Sequence, residues 1–101
     1  MSIDTITISY TDQGTKGRYE ASLDGVAEVA EMTLSKLSDQ TTIVDHTGVP
    51  DALRGKGLSG ALAERVSADA RAKGQKIVPL SPFLRGYAMK RKEALADVIQ
   101  F

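Results

Sequence analysis

The chain has 101 residues, 42% of them hydrophobic and 26% charged, ordinary values for one soluble globular domain spanning 1–101. It contains no cysteine and one histidine, His46, which excludes disulfides, thiolate nucleophiles and any multi-histidine metal site within one chain. The formal net charge is zero, which argues against non-specific binding to nucleic acid. No apolar run approaches the ~20 residues that cross a bilayer, and the N-terminus MSIDTITISY has neither the basic nor the apolar region of a secretory signal. The expected location is the cytoplasm, with no membrane and no metal.

Residues 6–10, ITISY, alternate apolar and polar side chains, so Ile6, Ile8 and Tyr10 share one face of a strand. TDQGTKG at 11–17 reads as a turn, in which Gly14 and Gly17 are free to take positive φ. RYEASL at 18–23 alternates again, and the pair predicts a hairpin. Residues 26–37 are ambiguous. Val26, Val29, Ala30, Leu34 and Leu37 fit a helical stripe, whereas Ala30, Met32 and Leu34 fit a strand, and periodicity alone leans to helix. The β-branched TTIVDHTGV at 41–49 predicts a strand, ended by Pro50 and Asp51.

Leu58, Leu62 and Val66, with Ala61 beside them, give one apolar face of a helix over about 57–73. Arg71 and Lys73 suit its last turn, and Gly74 its exit. KIVPL at 76–80 predicts a short buried strand. Ser81 as N-cap and Pro82 at the first helical position then start a second helix, to about residue 91. The tail EALADVIQF is apolar enough to pack and suits a further short helix.

Charge is segregated along the chain. Residues 1–50 carry eight acidic and three basic residues, a net −5; residues 51–101 carry five acidic and ten basic, a net +5. The basic half could face an anionic ligand, but on charge alone solvated helix faces are the favoured reading. RGKGLSG at 54–60 joins a strand to a helix. Its glycines let a ligand approach the backbone, and the first N–H groups of a helix lack intrahelical partners at the positive end of its dipole, which suits phosphate. Neither a P-loop nor a G-x-G-x-x-G fingerprint is present. A glycine-rich helix entry without a ligand remains the alternative on pattern alone.

HTGVPDALRGKGLSGAL, followed by KIVPLSPFLRGY, resembles the small stand-alone branch of the GNAT N-acetyltransferase superfamily, closely over about 41–91. In the superfamily's loop pattern Q/R-x-x-G-x-G/A, the three positions are Arg54, Gly57 and Ser59 here, the last a departure. Gly48 stands where the branch often has glutamate, and Ser81 where it often has cysteine; the usual histidine-proline after the second helix is also missing.

The resemblance implies an α+β fold: a mixed, mainly antiparallel sheet with two main helices, in the order β-β-β-β-α-β-α, with 26–37 as a strand. It implies that the strands at 41–49 and 76–80 part, admitting the pantetheine arm of acetyl-CoA. The cofactor site would comprise Val49, Arg54, Gly55, Lys56, Gly57, Leu58, Ser59, Gly60, Ser81 and Tyr87. The pyrophosphate would lie on the amides of 55–60, and a backbone N–H near Val49 would face the carbonyl oxygen. Arg85, Lys90, Arg91 and Lys92 would lie toward the nucleotide end.

His46 is the one side chain with an unperturbed pKa near neutrality, hence the candidate base, with a structural histidine as the alternative. Ser81 is a candidate to touch pantetheine or substrate, or simply a helix cap. Tyr87 is a candidate to protonate the departing thiolate, or a packing residue. The implied function is acetyl transfer from acetyl-CoA to a primary amine of a protein, peptide or small molecule, by a monomer or weak dimer. The alternatives are a non-catalytic acyl-CoA-binding or protein-interaction module that retains the fold, and a protein-binding domain using its sheet edge and the tail residues Val98, Ile99 and Phe101.

Overall fold

The computed structural model of the protein describes residues 5–100. Five strands form one sheet in sequential order: β1 (Ile6–Asp12), β2 (Lys16–Leu23), β3 (Val29–Lys36), β4 (Thr41–Gly48) and β5 (Lys76–Pro79). The first three pairings are antiparallel and β4–β5 is parallel. A parallel neighbour requires a crossover, supplied by a 3₁₀ turn at Asp51–Leu53 and helix α1 (Leu58–Ala72). Helix α2 (Pro82–Met89) and the short α3 (Lys92–Leu95) follow β5.

One face of the sheet is buried. Tyr19, Ala21, Leu23, Ala30, Met32, Leu34, Val44 and Ile77 meet Leu58, Leu62, Ala63, Val66 and Ala70 of α1 and Leu84 and Ala88 of α2. This explains why 29–36 is a strand. As a helix it would have to bury Val29 and Leu37, which are exposed, whereas Met32 is fully buried. Pairing on both sides, with β2 and β4, satisfies the backbone of this segment, and that tertiary gain overrides a weak helical periodicity.

Tyr19 fastens α1 to the sheet. Its hydroxyl donates to Asp69 Oδ2 at 2.5 Å, and Arg65 Nε donates to the same carboxylate at 3.1 Å. Burial and the anionic acceptor push the Tyr19 phenol far above its ordinary pKa. Just beyond this contact α1 closes as expected: Gly74 has φ +67°, and Gln75 N donates back to Ala70 O at 2.8 Å, a Schellman closure.

Five expectations are corrected. β1 runs to Asp12 and β2 begins at Lys16, so the hairpin loop is short. Gly14 takes φ +82°, its amide held by the Asp12 carboxylate at 3.0 Å, but Gly17 lies inside β2 with no positive φ. A Cβ on Gly17 would collide with the Tyr10 hydroxyl and with Leu34 Cδ1, the latter at 2.8 Å, so this glycine is required by packing. β5 stops at Pro79, leaving Leu80 exposed, and α2 stops at Met89. Val98 and Ile99 are buried rather than offered to a partner; Ile77 N donates to Val98 O and Gln100 N to Ile77 O, both at 2.8 Å, so the tail covers the outer edge of β5. Phe101 lies outside the described residues.

Candidate functional site

The parting of β4 from β5 is visible in the register. Pairing runs from Thr41↔Lys76 to Val44↔Pro79 and stops, while β4 continues to Gly48. Ser81 N makes one further bond, to Val44 O at 2.9 Å. On its other side β4 carries a bulge: Leu34 opposes Val44 and Thr33 opposes His46, leaving Asp45 as the extra residue. A bulge bends its strand and re-aims the side chains beyond it. Asp45, accepting from Ser35 Oγ at 2.7 Å, and His46 therefore both lie on the open face of the sheet, whereas Thr47 opposes the buried Met32 and turns toward α2.

Ser81 is fully buried. Its hydroxyl accepts from Leu84 N at 3.3 Å and shares a hydrogen bond with Thr47 Oγ1 at 2.9 Å. It thus caps α2 and ties that cap to the free end of β4. Replacing it by alanine removes the cap and leaves the Thr47 hydroxyl without its partner. Ser81→Ala is expected to cost about 1–2 kcal/mol, read as a lower midpoint in urea unfolding with an unchanged slope. An unaltered midpoint would show that neither bond matters to the fold.

The glycine loop leads from the 3₁₀ turn into α1. Gly55 and Gly57 have φ +74° and +83°, and Gly57 is the N-cap of α1 without any side-chain cap. Ala61 is the first residue of α1 with a backbone acceptor for its amide, Gly57 O at 3.0 Å. Among the described residues the amides of 55–60 have no acceptor, and neither has that of Val49. A Cβ on Gly55, Gly57 or Gly60 would meet nothing within 4 Å, so the space over these amides is open. Arg54 and Lys56 are exposed on the loop, Arg54 pairing with Asp51 at 3.0 Å; Leu58 is buried and anchors the helix start.

Tyr87 lies on α2 between Phe83, at a ring separation of 6.0 Å, and Arg91, whose guanidinium stacks 3.8 Å from the ring centroid. Its hydroxyl has no hydrogen-bond partner among the described residues. The predicted residues thus form separate groups. Ser81 stands with Thr47 under the end of β4, and the loop residues stand at the entry of α1. Tyr87 is stacked on α2. His46 sits on the open face, its Nε2 4.0 Å from Glu31 Oε1. Thr47 and Glu31 were not singled out from sequence. Thr47 lies inside the HTGV motif, but Glu31 is reached only through the β3–β4 register.

Among the described residues no helix is long and apolar enough to cross a membrane, and no group of three or more His, Cys, Asp or Glu side chains could hold a metal ion. No curated protein gives a significant match to the sequence. The fold is similar to the NMR solution structure of a GCN5-like protein from Staphylococcus aureus, with a TM-score of 0.64 and 25% identity over 91% of this chain and 87% of that one. A family model described as GCN5-related N-acetyl-transferase matches residues 18–98. With that match over most of its length, on a mixed five-stranded sheet whose fourth and fifth strands part beside a glycine-rich helix entry, the chain belongs to the GCN5-related N-acetyltransferase family.

Proposed function

We propose that the protein binds acetyl-CoA and transfers its acetyl group to a primary amine. The observation that carries this reading is the loop at 54–60. Its unpartnered amides, two positive-φ glycines and open space over each glycine fit the pyrophosphate of a coenzyme A, because they supply donors at the positive end of a helix and nothing that obstructs close approach. Arg54 and Lys56 add positive charge at the same loop.

Acetyl-CoA would supply an activated thioester, whose carbon–sulfur bond breaks as the amine nitrogen bonds to the acetyl carbon. The chain's own contribution is chiefly positioning. The free Val49 amide offers an N–H donor where the strands part, the kind of group that stabilises a developing oxyanion. His46, exposed at 62% of its side chain, takes the proton that the acceptor amine must lose and passes it to solvent. The unpartnered Tyr87 hydroxyl returns a proton to the leaving sulfur. Ser81, buried and doubly hydrogen-bonded, acts in this reading as a positioning residue that holds α2 against β4.

The reading is tested by following thiol release from acetyl-CoA with a panel of primary amines. Release that rises with amine concentration and is lost in His46→Ala is the expected result. Binding of acetyl-CoA without amine-dependent release would identify a non-catalytic acyl-CoA-binding module instead.

A further inference from the structure

The open face of the sheet carries a small charged group around the bulge in β4. Arg18 of β2 pairs with both Glu20 and Glu31, and Glu31 faces His46. The three charged residues sum to a single negative charge. The Arg18 guanidinium is committed to Glu31 Oε2. The other oxygen, Oε1, makes no hydrogen bond among the described residues and lies 4.0 Å from His46 Nε2. That gap is too long for a direct bond, yet one nitrogen placed about 2.9 Å from each atom can bridge it.

Gly48 keeps the gap open. It opposes Glu31 in the register, and a Cβ on it would stand 3.0 Å from His46 Nε2 and 3.7 Å from Glu31 Cγ. Beside the gap is a shallow hollow lined by Val29, Glu31, Gly48, Val49 and Pro50. One wall is thus a carboxylate and the others are apolar, with Val29 exposed at the lip. This combination suits a positively charged nitrogen on an alkyl stem, because the carboxylate meets the charge and the valines and proline cover the stem.

We propose that Glu31 and this hollow bind the ammonium form of an aliphatic primary amine and hold its nitrogen between Glu31 Oε1 and His46 Nε2. The inference rests on the transfer reading above and names its acceptor class. An alkylammonium is fully protonated at neutral pH, with an ordinary pKa near ~10.4, and must lose one proton before it can attack. The ammonium proton passes to His46 Nε2; the amine becomes neutral with a free lone pair, and the imidazole becomes an imidazolium. Glu31 Oε1 keeps its hydrogen bond to a remaining N–H and stabilises that imidazolium. Aryl amines, which are neutral and lack a narrow alkyl stem, do not fit.

The test uses the ¹⁵N-labelled chain without acetyl-CoA, titrated with n-butylammonium chloride at pH 7 and constant ionic strength, with 1-butanol as the uncharged control. Saturable amide shifts at Glu31, Gly48 and Val49 are expected with butylammonium and not with butanol. Glu31→Gln should weaken the apparent affinity at least about tenfold, the scale of one lost charge-assisted hydrogen bond. Gly48→Val keeps the carboxylate but fills the gap, and should abolish the shifts. Shifts scattered over the surface acids, shifts equal with butanol, no saturable shift, or binding to Gly48→Val as in the unmodified chain would each overturn the proposal. Because the titration contains no acetyl-CoA, failure of cofactor binding leaves this readout intact and the two readings fall separately.

Discussion

Gly57→Val is expected to abolish acetyl-CoA binding in a chain that still folds. Gly57 sits at φ +83° and caps the entry of α1. Any L side chain in this region costs about 1–2 kcal/mol, and valine is among the worst suited because of its branched Cβ. The chain therefore relaxes toward negative φ, and that relaxation reorients the amides of the loop. The new side chain would also stand in the open space above them, since nothing lies within 4 Å of its Cβ. Core contacts are untouched, so the loss of stability is confined to backbone strain. Gly14→Val provides the control, with φ +82° and equally open surroundings in the β1–β2 hairpin. Both variants should lose a similar amount of Tm, and only Gly57→Val should lose its ligand. The measurement is isothermal titration of acetyl-CoA into each variant. Unchanged affinity in Gly57→Val would remove the cofactor from this loop.

Gly17→Val is expected to cost about 3 kcal/mol, the upper part of the range for an overpacked site. The reason differs from that at Gly57. The backbone is ordinary strand, but Tyr10 lies across Gly17 and stacks at 4.7 Å on Tyr19, which in turn is tied to Asp69 of α1. Leu34 closes the other side, 2.8 Å from where the Cβ would stand. The atoms in the way are side-chain ends, but they belong to a ring packed on Tyr19 and to the buried Leu34, so Tyr10 must leave its place and uncover the buried Tyr19 ring. At 4–8 °C per kcal/mol for a domain of this size, Tm should fall by at least about 12 °C. Acetyl-CoA binding should persist below the lowered Tm. A fall of only a degree or two would show that Tyr10 is free to move.

Much of this architecture is legible in the chain, and the exceptions have physical reasons. Alternation at 18–23, the spacing of Leu58, Leu62 and Val66, and the Ser-Pro start of α2 are local signals, and each has the element it announces. The segment 26–37 is not legible from periodicity, because its pattern serves both structures and only pairing with β2 and β4 decides. The family resemblance implies a strand there, whereas periodicity alone leans to helix. Gly17 reads as a turn residue because its neighbours, Gly14 and Thr15, have turn composition; what demands a glycine there is an aromatic ring from the facing strand.

The site divides in the same way. The loop glycines and their helix entry are contiguous, so a sequence displays them. The bulge at Asp45 is a property of two strands together, and it decides that His46 faces Glu31 rather than the core. Glu31 carries no motif at all. Its place beside His46 follows from a register that no window on the sequence contains.

The central claim is that the loop at 54–60 holds acetyl-CoA, and a thermal melt tests it most directly, with acetyl-CoA, CoA and ATP compared at equal concentration. A ligand present at ~100 times its Kd stabilises by about 2.7 kcal/mol, which for a domain of this length raises Tm by roughly 11–22 °C. The account predicts a rise of that size with acetyl-CoA, a comparable one with CoA, and little with ATP. No rise with millimolar acetyl-CoA, or an equal rise with ATP, would contradict it.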